Sequence, residues 1–174
     1  MSEYILSCCS TVDLSREWLE KRGIPFLCFH YTIDGEERRD DLNRESLRAF
    51  YRAMEQGAET ATSMLSVGEY LDFFASFLEE GKDVLHVCLS GGLSGACGAA
   101  KQAAALLQEE FPERRVLVVD SLAASAGYGL LVDTMAQLRA EAFPTSQKHL
   151  RAGTAHRYAA LPARRAQKCA PGGK

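Results

Sequence analysis

One strand–turn–helix unit in the middle of the chain constrains the fold more than any other segment. Its first part, residues 84–89, is a short apolar run with the length and composition of a buried strand. Residues 90–94 then form a turn rich in Gly and Ser, and from Gly95 onward the sequence is typical of a helix. Backbone N–H groups and hydroxyls therefore meet at a helix N-terminus, where anions bind favourably. The segment lacks the Gly-Lys-Ser/Thr ending of a P-loop, which argues against a nucleotide triphosphate as the ligand.

The rest of the chain alternates in the same way between strand-like and helix-like segments. Apolar runs predict further strands at residues 4–8, 26–33 and 116–119. Helical periodicity and capping signals predict further helices at residues 15–21, 44–56, 66–80 and 125–141. We interpret residues 38–41 as solvated chain and residues 60–65 as a polar connector. This alternation predicts an α/β domain over residues 1–142, a three-layer α/β/α fold with a largely parallel sheet.

Polar connectors between these elements mark the predicted ligand site. In parallel sheets, ligands bind outside the carboxyl ends of the strands. Three connectors converge there, namely Ser10-Thr11, residues 90–95 and residues 120–125. The connector Thr62-Ser63 lies beside a helix N-terminus and can join them. Because these connectors supply hydroxyls and amides but few titratable groups, the sequence predicts a small-molecule site with no cofactor and no bound metal.

The charged residues divide the chain near residue 142. Residues 1–142 contain all 23 acidic residues against 13 Lys and Arg, whereas residues 143–174 contain seven Lys and Arg and no acid. The acidic body argues against a nucleic-acid partner. Residues 143–174 also contain no Ile, Val or Met and show neither helical nor strand periodicity, so we predict a basic tail that is disordered or out of frame.

The N-terminus and the hydropathy pattern bear on location. The first ten residues, MSEYILSCCS, lack the basic region and the long apolar run of a signal peptide. No apolar run approaches the roughly 20 residues that span a bilayer. These features predict a cytoplasmic protein.

Two serines invite comparison with hydrolase nucleophiles. The nucleophile motif of α/β-hydrolases is Gly-x-Ser-x-Gly. The segment around Ser94 lacks the last glycine, and the segment around Ser125 lacks the first. Neither serine has an identifiable His and acid partner, so a small serine hydrolase is retained only as an alternative.

The adjacent pair Cys8-Cys9 lacks Cys-x-x-Cys geometry and is predicted to pack in the core.

Four motifs, in this order and at these intervals, resemble those of the DegV family: ILSCCSTVDL, ATSMLSVGEY, CLSGGLSGACGAA and VVDSLAASAGYGLLV. The resemblance covers about residues 3–141. The family comprises bacterial fatty-acid-binding proteins, some of which are the lipid-carrying subunit of fatty acid kinase. The resemblance implies that this chain binds a long-chain fatty acid, presents it to a fatty acid kinase catalytic subunit and is not itself an enzyme. Peripheral membrane contact is a further expectation.

The resemblance also assigns residues to the head-group site. In the family, a Thr-Ser pair before one long helix and a Ser-Gly pair opening the next bind the fatty-acid carboxylate. These positions are Thr62, Ser63, Ser94 and Gly95 here. Neutral hydroxyls and helix amides suit a carboxylate better than they suit catalysis. An aromatic stripe on the intervening helix is expected to be mainly core, with part of it lining an acyl tunnel; it comprises Tyr70, Phe73, Phe74 and Phe77.

The sequence departs from the family pattern in three places. Cys9 stands where the family has the Asp of an Asp-Ser-Thr motif, and Met64-Leu65 replaces a Gln-Pro or similar pair. Family members also carry a second α/β domain of comparable size, with the lipid between the two domains. Residues 143–174 do not resemble that domain, so we hypothesise a truncated or out-of-frame end. A non-functional remnant of a DegV-type carrier is the alternative that follows.

Overall fold

The computed structural model describes residues 4–142, which form seven strands and five α-helices. The strands are β1 (Tyr4–Cys9), β2 (Phe26–Leu27), β3 (His30–Ile33), β4 (Glu36–Arg39), β5 (Thr60–Ser63), β6 (Asp83–Cys88) and β7 (Val116–Asp120). The helices are α1 (Arg16–Lys21), α2 (Arg44–Glu55), α3 (Val67–Leu78), α4 (Ala96–Glu110) and α5 (Ser125–Ala142). The prediction of a disordered or out-of-frame tail at residues 143–174 lies outside the described residues.

The central sheet is parallel, with strand order β2-β1-β6-β7. Its strands are apolar because helices cover both faces. Phe74 of α3 and Leu107 of α4 belong to the core on one face, and Leu19 of α1 and Val132 of α5 belong to the core on the other. The predicted α/β fold with a largely parallel sheet is therefore confirmed.

Cys8 and Cys9 lie in different cores, since successive strand residues face opposite sides of a sheet. Cys8 packs with the α1 and α5 side, Cys9 packs with the α3 and α4 side, and both thiols are free and buried. Their predicted role in core packing is confirmed.

A second sheet of three antiparallel strands has the order β4-β3-β5. The prediction of one strand over residues 26–33 is wrong, because β2 pairs with β1 whereas β3 joins the second sheet. The predicted connector at residues 60–65 contains β5, and Arg38 and Arg39 belong to β4 rather than to solvated chain. These strands were missed because backbone pairing with β3 holds them, while most of their side chains are exposed and follow no apolar alternation.

Helix α2 lies beside the second sheet and buries none of its residues. Phe50 packs edge-on against Tyr31 of β3, with ring centroids 5.1 Å apart. Leu47, Tyr51 and Met54 are about half exposed, at 53%, 56% and 45%. The helix therefore presents apolar side chains on an open surface.

The helix starts agree with their sequence signals. The Ser15 hydroxyl accepts a hydrogen bond from Trp18 N–H at 3.2 Å and caps α1. Ser66 and Glu69 form both hydrogen bonds of a capping box at the start of α3. Within residues 4–142, no helix is long and apolar enough to cross a bilayer.

Candidate functional site

An open groove of about 580 Å³ is bounded by β3, β5, α2 and the start of α4. Ligand sites in proteins usually measure about 300–1,000 Å³. The groove is lined by Thr11, Phe29, His30, Tyr31, Asp40, Leu47, Phe50, Thr62, Ser63, Met64, Leu89, Leu93, Ser94 and Gly95. The four residues singled out from the sequence, Thr62, Ser63, Ser94 and Gly95, thus lie on one continuous surface.

Thr62 and Ser63 reach the groove from β5. This strand pairs with β3, so that Thr62 lies opposite Tyr31 and Ser63 lies opposite His30. Both residues are exposed. Within residues 4–142, neither hydroxyl is held by another side chain or by the backbone, so both are available to a ligand.

Ser94 and Gly95 reach the groove from the connection between β6 and α4. The Ser94 hydroxyl accepts a hydrogen bond from Ala96 N–H at 3.2 Å, which leaves its own hydrogen for another acceptor. Gly95 occupies the N-cap position of α4 and has no side chain that could cap the helix. The sulfur of Met64 lies 2.8 Å from the place that a Cβ on Gly95 would take. The end of β5 and the start of α4 are therefore in contact.

The carboxylate of Asp120 holds the turn that leads to Ser94. It accepts hydrogen bonds from Leu122 N–H at 2.9 Å and from Gly91 N–H at 3.1 Å. These two hydrogen bonds lower the pKa of Asp120, so the group stays ionised at neutral pH. A Cβ on Gly91 would lie 2.8 Å from Asp120 Oδ2, so any other residue here would have to displace this carboxylate.

His30 is a groove residue that the sequence did not reveal. It is 8% exposed, its Nε2 lies 2.6 Å from Glu69 Oε1, and its Nδ1 lies 3.0 Å from Glu37 Oε1. The other oxygen of Glu69 accepts hydrogen bonds from the Ser66 N–H and hydroxyl. His30 thus connects the second sheet to the start of α3. Only the pairing of β3 with β4 brings Glu37 to it, and residues 38–41 gave no sign of that strand.

A neutral buried layer lies at the carboxyl ends of β1 and β6. Cys9 Sγ is 3.3 Å from the Tyr70 hydroxyl, and Cys9 N–H donates to the Tyr128 hydroxyl at 3.0 Å. Burial raises the pKa of Cys9 to about 12. Burial likewise lowers the pKa of His86 to about 3, and the ring bonds to the Ser7 hydroxyl at 2.9 Å. Cys9, in the place of the family's Asp, is therefore a neutral core thiol.

The arrangement of the serines does not favour a hydrolase. Within residues 4–142, no hydrogen bond joins Ser94 or Ser125 to a histidine, since His30 contacts carboxylates and His86 is buried beside Ser7. Ser125 instead donates to Asp13 at 2.6 Å. The catalytic Ser-His contact that nucleophilic catalysis requires is thus missing from the described part of the chain.

The aromatic stripe on α3 packs in the core on the α3 and α4 face of the central sheet. That part of the stripe lines an acyl tunnel stays a prediction, but none of its members lines this groove. The reason is that α3 turns this face towards α4 and the central sheet, whereas the apolar side of the groove comes from α2 and the turns. The stripe comprises Tyr70, Phe73, Phe74 and Phe77.

The model of the family described as "Uncharacterised protein, DegV family" matches residues 9–151. The chain belongs to the DegV family. A DegV domain-containing protein of Lactococcus lactis, YteA, is 34% identical over 132 residues, which make up 75% of this chain and 45% of the relative. A DegV domain-containing protein of Clostridium perfringens is 28% identical over 80% of this chain and 48% of its own length. The chain spans about half the length of the curated DegV relatives that it matches.

Solved DegV structures share the fold. A stearic acid-binding protein from Eubacterium ventriosum superimposes with a TM-score of 0.71 at 29% identity, over 79% of this chain and 48% of its own. A fatty acid-binding DegV family protein from Thermus thermophilus gives a TM-score of 0.65 at 29% identity, over 87% of this chain and 54% of its own. These DegV neighbours bind fatty acids.

Proposed function

We propose that this DegV chain binds a long-chain fatty acid and acts as a carrier rather than as an enzyme. The observation that supports this most is the convergence of Thr62, Ser63, Ser94 and Gly95 on one groove whose remaining surface is largely apolar. Two separate connections, before α3 and before α4, deliver these residues. The fatty acid-binding relatives from Eubacterium ventriosum and Thermus thermophilus support the same ligand class.

The polar end of the groove suits a carboxylate. The hydroxyls of Thr62 and Ser63 are unoccupied within the described residues, and the Ser94 hydroxyl retains its hydrogen for donation. The N-terminus of α4 adds backbone amides and the favourable end of a helix dipole. Hydrogen bonds to a charged group are worth about 1.5–3 kcal/mol each, which is enough to orient the head group.

The apolar side of the groove suits an acyl chain. Phe50 and Leu47 approach it from α2, while Leu89 and Leu93 approach it from the connection between β6 and α4. Each buried CH₂ group contributes about 0.8 kcal/mol, so the chain supplies most of the affinity. Leu93 is 69% exposed, and a bound acyl chain would cover it.

Native mass spectrometry of the protein purified from bacterial cells tests this proposal. We expect a co-purifying mass that matches a long-chain fatty acid such as stearate, and its loss in the double variant Thr62→Ala, Ser94→Ala. The matched control is Ser76→Ala, Thr134→Ala, which removes two hydroxyls that donate to their own helix backbone outside the groove. The control should retain the ligand.

Two results would count against a carrier. A protein that stays empty when stearate is added would favour a non-functional remnant of a DegV-type carrier. Turnover of a generic ester, lost on Ser94→Ala alone, would favour the serine hydrolase.

We further propose that the bound fatty acid is presented to a separate fatty acid kinase catalytic subunit in the cytoplasm. The family resemblance supports this partner. The test is ATP-dependent phosphorylation of stearate by such a subunit, which should require the added chain.

Vesicle co-sedimentation and cell fractionation test the peripheral membrane contact and the cytoplasmic location. We also propose that residues 1–142 correspond to the first domain of the longer relatives, and residues 143–174 to a basic tail.

A further inference from the structure

Thr11 is a groove residue whose hydroxyl is buried and has no hydrogen-bond partner in the described part of the chain. Within residues 4–142, Thr11 Oγ1 is the one buried side-chain hydroxyl without a hydrogen-bond partner. Thr11 also lines the groove beside the four residues assigned to the head group. A buried hydroxyl without a partner is unfavourable and uncommon, because it has given up its bonds to water without replacement.

The hydroxyls next to Thr11 are already paired by the fold. Ser10 Oγ accepts a hydrogen bond from Phe29 N–H at 3.0 Å, and Ser10 also bonds to the Asp40 carboxylate. Ser90 Oγ accepts from Gly92 N–H at 3.2 Å. These serines therefore stabilise the turns, whereas the Thr11 hydroxyl has no such structural bond.

The position of Thr11 follows from the central sheet. β1 and β6 are neighbouring parallel strands, so their carboxyl ends meet at one edge. Thr11 lies in the short turn after β1, and Ser94 lies in the turn after β6. Both residues consequently line the same groove, after two neighbouring strands.

We propose that Thr11 is a further ligand-binding residue of the groove, whose hydroxyl donates a hydrogen bond to the fatty-acid carboxylate. This inference rests on the proposed function. Oγ1 of Thr11 is buried. A rotation about χ1 exchanges the hydroxyl with the methyl group and brings the donor to the ligand, since both positions are staggered rotamers of threonine. The ligand thus provides the acceptor that the fold does not.

Competition binding against a fluorescent fatty acid tests this role, with stearate and methyl stearate as the two probes. Thr11→Val removes the hydroxyl and keeps the branched shape, and it should weaken stearate binding by roughly 10- to 150-fold, as expected for a lost hydrogen bond to a charged group. Methyl stearate carries no charge, so its affinity should fall by a clearly smaller factor than that of stearate. Thr11→Ser keeps the donor and should bind stearate within about threefold of the wild type. Thr134→Val, on the exposed side of α5, is the matched control and should bind both probes normally.

The outcomes separate this inference from the proposed function. Equal stearate affinity in the wild type and Thr11→Val overturns the inference alone, and so does an equal loss for both probes, which indicates a packing effect. Failure of the wild type to bind stearate overturns the proposed function and this inference with it. Thermal unfolding of each variant monitors folding, and Thr11→Ala gives the same comparison if valine disturbs the turn.

Discussion

The two sheets of this DegV chain are stabilised in different ways. The central parallel sheet is covered on both faces, and side chains as large as Phe74 and Tyr128 are fully buried against it. The second sheet has two strands with mostly exposed side chains, β4 and β5, and its neighbouring helix α2 buries no residue. The folding free energy is therefore concentrated in the first region, whereas the second supplies accessible side chains to the groove.

The difference shows that the second sheet can carry exposed ligand-binding side chains, because its strands are held by backbone pairing. The hydroxyls of Thr62 and Ser63 are carried by backbone pairing with β3, which does not depend on side-chain burial. Their side chains therefore do not have to be buried for the strand to form, and they stay accessible to a ligand. The buried layer of Cys9 and His86, by contrast, is fixed by dense packing and is kept neutral.

Two truncations, one in each region, should give the largest difference in the free energy of unfolding. Phe74→Ala removes a fully buried ring and should lower the free energy of unfolding by about 3–5 kcal/mol. Leu47→Ala on α2 should change it by no more than about 0.5 kcal/mol, because Leu47 is 53% exposed. The same Leu47→Ala variant should weaken stearate binding several-fold, since Leu47 lines the groove. Urea denaturation and competition binding measure the two effects, and similar destabilisation by both variants would contradict the contrast.

The neutrality of the buried layer gives a second, smaller effect that depends on pH. Burial lowers the pKa of His86 from 6.5 to about 3, so the unfolded chain takes up a proton below about pH 6.5 while the folded chain does not. Stability should therefore fall as the pH falls from 6.5 towards 3. The loss from this group between about pH 7.5 and about pH 5.5 is on the order of 1 kcal/mol. Urea denaturation at the two pH values measures it.

The variant His86→Gln is the control for that pH dependence. This variant should be less stable than the wild type at every pH because it loses packing. Its free energy of unfolding should, however, change less between the two pH values, since His86 no longer contributes. An unchanged difference between the two pH values in this variant would assign the effect to other groups and would contradict the buried neutral state of His86.

The two regions also differed in how well the sequence predicted them. The parallel strands and the helices that cover them were predicted because burial leaves apolar runs, and capping leaves signals such as Ser66 and Glu69. β4 and β5 were missed because strands held by backbone pairing alone leave no such pattern. The contact of His30 with Glu37 depends on that missed pairing, and so it was out of reach of the sequence.

The sequence predicted residues that line the groove, but not the elements that carry them. Thr62, Ser63, Ser94 and Gly95 line one groove, yet they reach it from an antiparallel strand and a helix start rather than from a single sheet edge. Their binding role stays a prediction. The unpaired hydroxyl of Thr11 and the contact of Met64 with Gly95 are properties of packing, which residue types alone do not reveal.

The smallest expected effect on stability is at the junction of the two regions, where Met64 covers Gly95. The backbone of Gly95 is helical, at φ −67° and ψ −8°, so alanine is tolerated there without strain. A Cβ would lie 2.8 Å from the Met64 sulfur, which is near the end of a flexible side chain and can move away. Gly95→Ala should therefore change the free energy of unfolding by less than about 0.5 kcal/mol.

The same substitution should affect ligand binding more than stability, because the displaced Met64 side chain enters the groove that it now borders. We expect stearate affinity to fall several-fold in Gly95→Ala and to recover in the double variant Met64→Ala, Gly95→Ala. Gly98→Ala on the same helix is the control, since no atom lies within 4 Å of its added Cβ. If the double variant binds as weakly as Gly95→Ala, displacement of Met64 is not the cause of the weaker binding. The added methyl group then blocks the start of α4 directly, which places the head group in contact with Gly95.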